Sequence, residues 1–177
     1  MLYYKKWVGL NKRIEWLLVD ICESFIVIAS FVLGWLYQLN NKYIIGLNDV
    51  LSDRLKYIAQ TMSTYNIKLW GQYIEEHGNG GSIIAKDNYF FIDNSFVRCM
   101  YEYGAIVFVL VIVLIFMAQK KMLDNEKYIM CLAFFIVTIA SFAEHHLLEI
   151  AYNPFIFSVF ACMSNNDKVI MEEKRIC

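Results

Sequence analysis

A chain of 177 residues that is 59% hydrophobic and 16% aromatic, with a mean hydropathy of +0.44, carries more apolar side chain than a water-soluble domain of this size normally holds. Its formal net charge of −1 supplies no basic excess to neutralise phosphates, which excludes nucleic acid as a partner. The five cysteines, at 22, 99, 131, 162 and 177, form no CxxC pair, and three lie in apolar helical stretches where cysteine behaves as a small hydrophobe.

Residues 1–15 form a basic N-terminal segment with Lys5, Lys6, Lys12 and Arg13. The apolar run behind it is too long for the core of a signal peptide and has no small-residue cleavage site, so the segment is expected to be retained. Residues 16–37 are mostly apolar and long enough, at 1.5 Å per residue, to cross a hydrocarbon core of about 30 Å. Asp20 and Glu23 lie three apart on one face of this first span, and each needs a polar partner there.

Residues 38–94 read as an external loop. Within it Leu51, Leu55, Ile58, Ala59, Met62 and Tyr65 recur at helical spacing opposite Asp53, Lys56, Gln60 and Ser63, which predicts an amphipathic helix capped by Ser52 or Asn48. Such a stripe lies along a membrane interface or packs on other helices. The run from Gly78 to Ser82 is a flexible turn without the GK[ST] ending of a phosphate loop.

A second span is expected over 95–119, with Asp93, Asn94 and Ser95 as candidate caps and an unbroken apolar run from Ala105 to Ala118. After a turn at 120–127, a third is expected over 128–149, continuing through Glu144, His145, His146 and Glu149 to the far surface. Asn153 and Pro154 read as the cap and first position of a last apolar stretch over 150–164, too short to span and therefore a short or re-entrant helix. Residues 165–177 form a polar tail. Lys120, Lys121 and Lys127 join the basic N-terminus on the cytoplasmic side, which puts the 38–94 loop outside. The fold class is all-α: polytopic membrane helices, three full spans plus the short C-terminal helix, with an external loop containing an amphipathic helix.

Four segments in register carry a resemblance. The string Asn48-Asp49-Val50-Leu51-Ser52-Asp53-Arg54-Leu55, then Trp70-Gly71-Gln72, then Ile92-Asp93-Asn94-Ser95-Phe96 with Tyr103-Gly104, and finally Ala143-Glu144 with Ala151-Tyr152-Asn153-Pro154-Phe155 resemble the C-terminal part of Wzy-type O-antigen and capsular polysaccharide polymerases. The resemblance covers roughly residues 45–160. It implies a GT-C-like membrane glycosyltransferase that joins lipid-pyrophosphate-linked repeat units at the outer face of a bacterial cytoplasmic membrane. It also implies partners: the lipid-linked oligosaccharide, membrane lipid, and N-terminal helices missing here or encoded elsewhere, since family members have about ten or more spans. Two departures stand out: Asp53 replaces the glycine that often precedes the arginine, and His145-His146 replace the Pro-Gln that often follows the later glutamate. The alternative is a small non-enzymatic membrane protein, an assembly or transport subunit of similar topology.

The chemistry the resemblance implies needs a cation for the leaving pyrophosphate and a base for the attacking hydroxyl. Arg54 suits the first, because a guanidinium is always charged and grips phosphate oxygens in a fork. Asp93 suits the second, although Asp93-Asn94-Ser95 also reads simply as a helix cap. Lys56, Asn94, Arg98, Glu144 and Asn153 are the candidate substrate-binding residues; Arg98 and Glu102, four apart, read first as a helix pair. No cofactor is implied. A metal site of His145, Glu149 and His77 has no recognisable spacing, and adjacent histidines on a helix point apart, so none is expected.

Overall fold

The computed structural model describes residues 12–77, 89–125, 127–149 and 153. These residues are mostly helical and contain no strand beyond one antiparallel bridge between His77 and Phe90. In chain order they form α1 (Lys12–Gln38), α2 (Lys42–Val50), α3 (Arg54–Thr64), α4 (Ser95–Arg98) running into a π-helical turn (Cys99–Tyr103), α5 (Ala105–Asp124), α6 (Tyr128–Ala140) and a 3-10 turn (His146–Leu148). The glycine turn from Gly78 and the apolar stretch from Pro154 lie outside the described residues.

Two helices, α1 and α5, are long and apolar enough to cross a membrane. They run antiparallel: Phe31 meets the ring of Phe108 edge-on at 5.8 Å, and Glu23, a little over two turns earlier, meets Gln119. Helix α6 packs on both. The exposed residues along the middle of the three helices are mostly apolar: Leu17, Ile21, Phe25 and Ile28 on α1, Val109, Leu110, Val113 and Met117 on α5, Ile129, Leu132 and Ile136 on α6, with Asp20 of α1 a charged exception. Their buried residues include Glu23, Ser30, Gln119 and Thr138. A surface so largely apolar around a partly polar interior is favoured by lipid and opposed by water.

The third full span expected over 128–149 is not formed as one helix. Helix α6 stops at Ala140, and its 13 residues rise only about 20 Å. The carbonyl of Ser141 accepts the Ser95 N–H, that of Phe142 accepts the Asn94 side-chain amide, and that of Glu144 accepts the Ser95 hydroxyl. With those carbonyls directed at the start of α4, the next helical turn cannot close.

The helix expected over 95–119 is likewise broken. Gly104 stands at φ 97° and ψ 165°, a conformation open essentially to glycine alone. The segment before the bridge runs alongside: Ala105 and Ile106 donate to the carbonyls of Lys68 and Leu69, and Gln72 N–H donates to Glu102. Thus α5 begins afresh, with its first amides satisfied from another part of the chain.

The amphipathic helix is α3, and it packs on α1 instead of lying alone. Leu55, Ile58 and Ala59 are buried, Gly34 of α1 leaves room for Ile58, and the Gln38 amide donates to the carbonyl of Ala59 at 2.8 Å. Together α2, α3, α4 and the 141–149 corner cap one end of the bundle. The other end carries Trp16, with the Lys120 ammonium over its ring at 4.9 Å.

Candidate active site at the capped end of the bundle

Helix α3 begins after two residues in the left-handed region, Ser52 at φ 54° and Asp53 at φ 66°. Asn48, buried in the last turn of α2, makes that entry possible: its carbonyl accepts the Lys56 N–H at 3.0 Å and its amide donates to the Asp53 carboxylate at 2.8 Å. Of the two cap candidates it is therefore Asn48, reaching across from the preceding helix, that closes α3. Glycine adopts the left-handed conformation without cost and aspartate tolerates it, which accounts physically for an aspartate at position 53. The Asp53 carboxylate is engaged by the Asn48 amide.

Arg54 reaches two other carboxylates. Its Nη2 donates to Glu144 Oε1 at 3.1 Å, and its Nε lies 3.6 Å from Asp93 Oδ2. These residues belong to the start of α3, the approach to α4 and the corner after α6, with Arg54 and Glu144 90 residues apart in sequence. Asp93 is four-fifths buried and Glu144 nearly half exposed, so Arg54 has an inner and an outer partner. Burial pushes the Asp93 carboxyl above its ordinary range, against the pull of the Arg54 guanidinium.

His145 stands beside them, with Nδ1 3.9 Å from Asp93 Oδ1 and Nε2 3.3 Å from Glu149 Oε1. Burial, followed by the neighbouring His146 and then Arg98, holds its pKa below the ordinary imidazole value. Because this segment has left the helix, the rings of His145 and His146 do not diverge: their centroids are 4.1 Å apart.

Arg98 makes the expected pair with Glu102, at 2.7 Å from its Nε. It also bonds Glu76 and lies over the Phe91 ring at 4.9 Å from the centroid. Glu76 is fixed in turn by the Ile92 N–H at 2.9 Å. A cleft of about 420 Å³ opens here, lined by Glu76, Phe91, Ser95, Arg98, Tyr103, His145, Leu148 and Glu149. Aromatic faces beside charged hydrogen-bonding groups suit a hydroxyl-rich ligand.

The remaining candidates are placed differently. Asn94 is 1% exposed; its carbonyl accepts the Phe96 and Val97 N–H groups and its amide holds Phe142, so it is wholly a cap. Asn153 is equally buried and donates to the carbonyl of Leu147. Neither faces the cleft lining. Lys56 is exposed, with its ammonium 5.7 Å from the Tyr57 ring centroid. His77 pairs with Glu75 at the bridge to Phe90.

Sequence reasoning missed Glu76, Phe91 and the central position of Ser95, whose hydroxyl joins Glu144 to the Leu147 N–H, and it set His145 aside as a metal ligand. Glu76 and Phe91 lie in irregular chain, where no periodicity marks a residue. The two glycine strings, Trp70-Gly71-Gln72 and Tyr103-Gly104, meet each other: a Cβ on either glycine would collide with the backbone of the opposite segment. They hold the site's frame and take no direct part in its chemistry. Comparison with protein-family models, with curated proteins and with solved structures returns no match.

Proposed function

We propose that this chain is part of a multi-pass glycosyltransferase of polysaccharide polymerisation in a bacterial cytoplasmic membrane, with its capped end on the outer face. The observation that carries the reading is the convergence of Arg54, Asp93 and Glu144, three residues singled out separately in the sequence, beside a cleft with aromatic and charged walls. The basic end, with Lys120 and Lys121, then faces the cytoplasm.

In the transfer, the bond between the sugar's anomeric carbon and the donor's pyrophosphate oxygen breaks, and a bond from that carbon to an acceptor hydroxyl forms. Asp93 takes the hydroxyl proton; its raised pKa makes it a stronger base than a free aspartate. Arg54 stabilises the lipid pyrophosphate as it leaves. Glu144, the exposed partner, gives up its place on the guanidinium fork when the pyrophosphate arrives, while buried Asp93 keeps Arg54 aimed.

Further helices belong to the working enzyme. Asp20 lies exposed on α1 among Trp16, Leu17, Ile21, Phe25 and Ile28. A carboxylate facing hydrocarbon costs several kcal/mol, which supports another polar-bearing helix against this face. The experiment is depletion of this chain from the cells that make it, followed by sizing of the lipid-linked glycan. Accumulation of single repeat units supports the proposal; an unchanged length distribution refutes it and leaves a non-enzymatic membrane subunit.

A further inference from the structure

The corner after α6 gathers metal-binding atoms, of which the glycosyl-transfer reading uses Glu144 alone and leaves both histidines without a role. One ligand atom from each of Glu144, His145 and His146 fits within 4.8 Å of the others. Glu149 bridges the two imidazoles, with its carboxylate oxygens 3.3 Å from His145 Nε2 and 3.2 Å from His146 Nδ1. Ligand atoms at about 2.0–2.1 Å from a tetrahedral zinc ion are separated by roughly 3.3–3.4 Å, so these contacts already have the length of a coordination edge.

A second feature lies behind the first. The Nδ1 of His145 is buried without a hydrogen-bond partner and faces Asp93 Oδ1 at 3.9 Å. A metal-ligating histidine commonly has its other ring nitrogen oriented by a carboxylate, and Asp93 is the carboxylate that faces this one. Charge points the same way: Glu76, Asp93, Glu102, Glu144 and Glu149 surround this corner, and the guanidiniums facing them are those of Arg54 and Arg98. The excess negative charge suits a divalent cation, and two imidazoles with carboxylates suit the zinc class over magnesium.

The geometry points to a divalent transition-metal site at the corner after α6, formed by Glu144, His145 and His146, with Glu149 beside the two imidazoles and Asp93 behind His145. This inference stands independently of the glycosyl-transfer reading. A metal here would lock the corner that Ser95 staples to α4, and would engage Glu144, the outer partner of Arg54.

The test is titration of the full-length chain, purified in detergent micelles, with Co²⁺ and then Zn²⁺. The expected result is one equivalent of Co²⁺ giving visible d–d absorption of a low-coordinate site, displaced by Zn²⁺ and unaffected by millimolar Mg²⁺. His145→Ala and, separately, His146→Asn should abolish the absorption while helix content by circular dichroism is kept; two variants guard against one that fails to fold. Asp93→Asn should weaken binding about 10–100-fold, the usual effect of losing an orienting carboxylate. His77→Ala should leave binding unchanged. Absence of saturable Co²⁺ absorption in the folded chain would overturn the inference, as would a signal lost in His77→Ala and retained in the other two histidine variants.

Discussion

The two ends of this molecule handle charge in opposite ways. Inside the bundle a polar group is rare and answered by a single relay: the Gln119 amide donates to Glu23 at 2.7 Å, and the Cys131 thiol lies 2.9 Å from the Gln119 carbonyl. At the capped end charges crowd together with shared partners: Arg54 between two carboxylates, Arg98 between two more, Glu149 against two histidines. The first pattern is that of helices held together where water is absent. The second keeps groups partly solvated and able to exchange partners, which a binding site requires.

The contrast breaks most severely if the frame of the cap is lost. Gly104→Ala places a side chain in a conformation essentially reserved for glycine and drives it into Gly71 and Leu69. It should cost more than about 4 kcal/mol and leave little folded protein in detergent, as read by protease resistance. Gly46→Ala, in α2 with open space around the new methyl, should instead be neutral or stabilising by about 0.4–1 kcal/mol. Next in size, Arg98→Ala strands Glu76 and Glu102 in a mostly buried position and should cost about 3 kcal/mol, seen as a lowered denaturation midpoint.

A smaller effect belongs to the bundle. Gln119→Leu removes the amide that faces Glu23 and should destabilise by about 1–2 kcal/mol, the upper range for hydrogen bonds between membrane helices, without altering metal binding at the cap. If that variant changed cap function as strongly as Arg98→Ala, the division of labour between the two ends would be wrong.

Asp93 sharpens the comparison through pH. Its folded pKa lies above the ordinary value because of burial, so the stability it contributes is fully present below the unfolded pKa, near 3.8, and is lost as pH rises through the folded pKa. A base must be ionised, so activity rises over that same upper interval in which Asp93's contribution to stability falls. Asp93→Asn should remove both dependences together; parallel rise of stability and activity in the wild type would contradict the assignment.

Much of the bundle was legible because lipid imposes a length: α1 stands out as a long, mostly apolar stretch, α5 by its unbroken apolar run, and α3 by its period. What was not legible depends on distant partners. The break at Gly104 is set by carbonyls at 68 and 69, and the stop at Ala140 by Asn94 and Ser95, so no local pattern announces either. Arg54, Asp93 and Glu144 were identified one at a time through the resemblance; their meeting is a property of the fold. The two histidines were read as divergent because a helix was expected beneath them, and the end of α6 reverses that reading.

The most direct test of the central claim is Arg54→Lys in the complete membrane system, with glycan length as readout and Lys56→Ala as control. Lysine keeps the charge and loses the bidentate fork, so polymerisation should fall on the order of a hundredfold or more while membrane insertion is unchanged. Lys56, exposed and lying against Tyr57, should be nearly silent. Equal and modest losses for both substitutions would contradict the account and reduce Arg54 to one charge among several on a headgroup-binding surface.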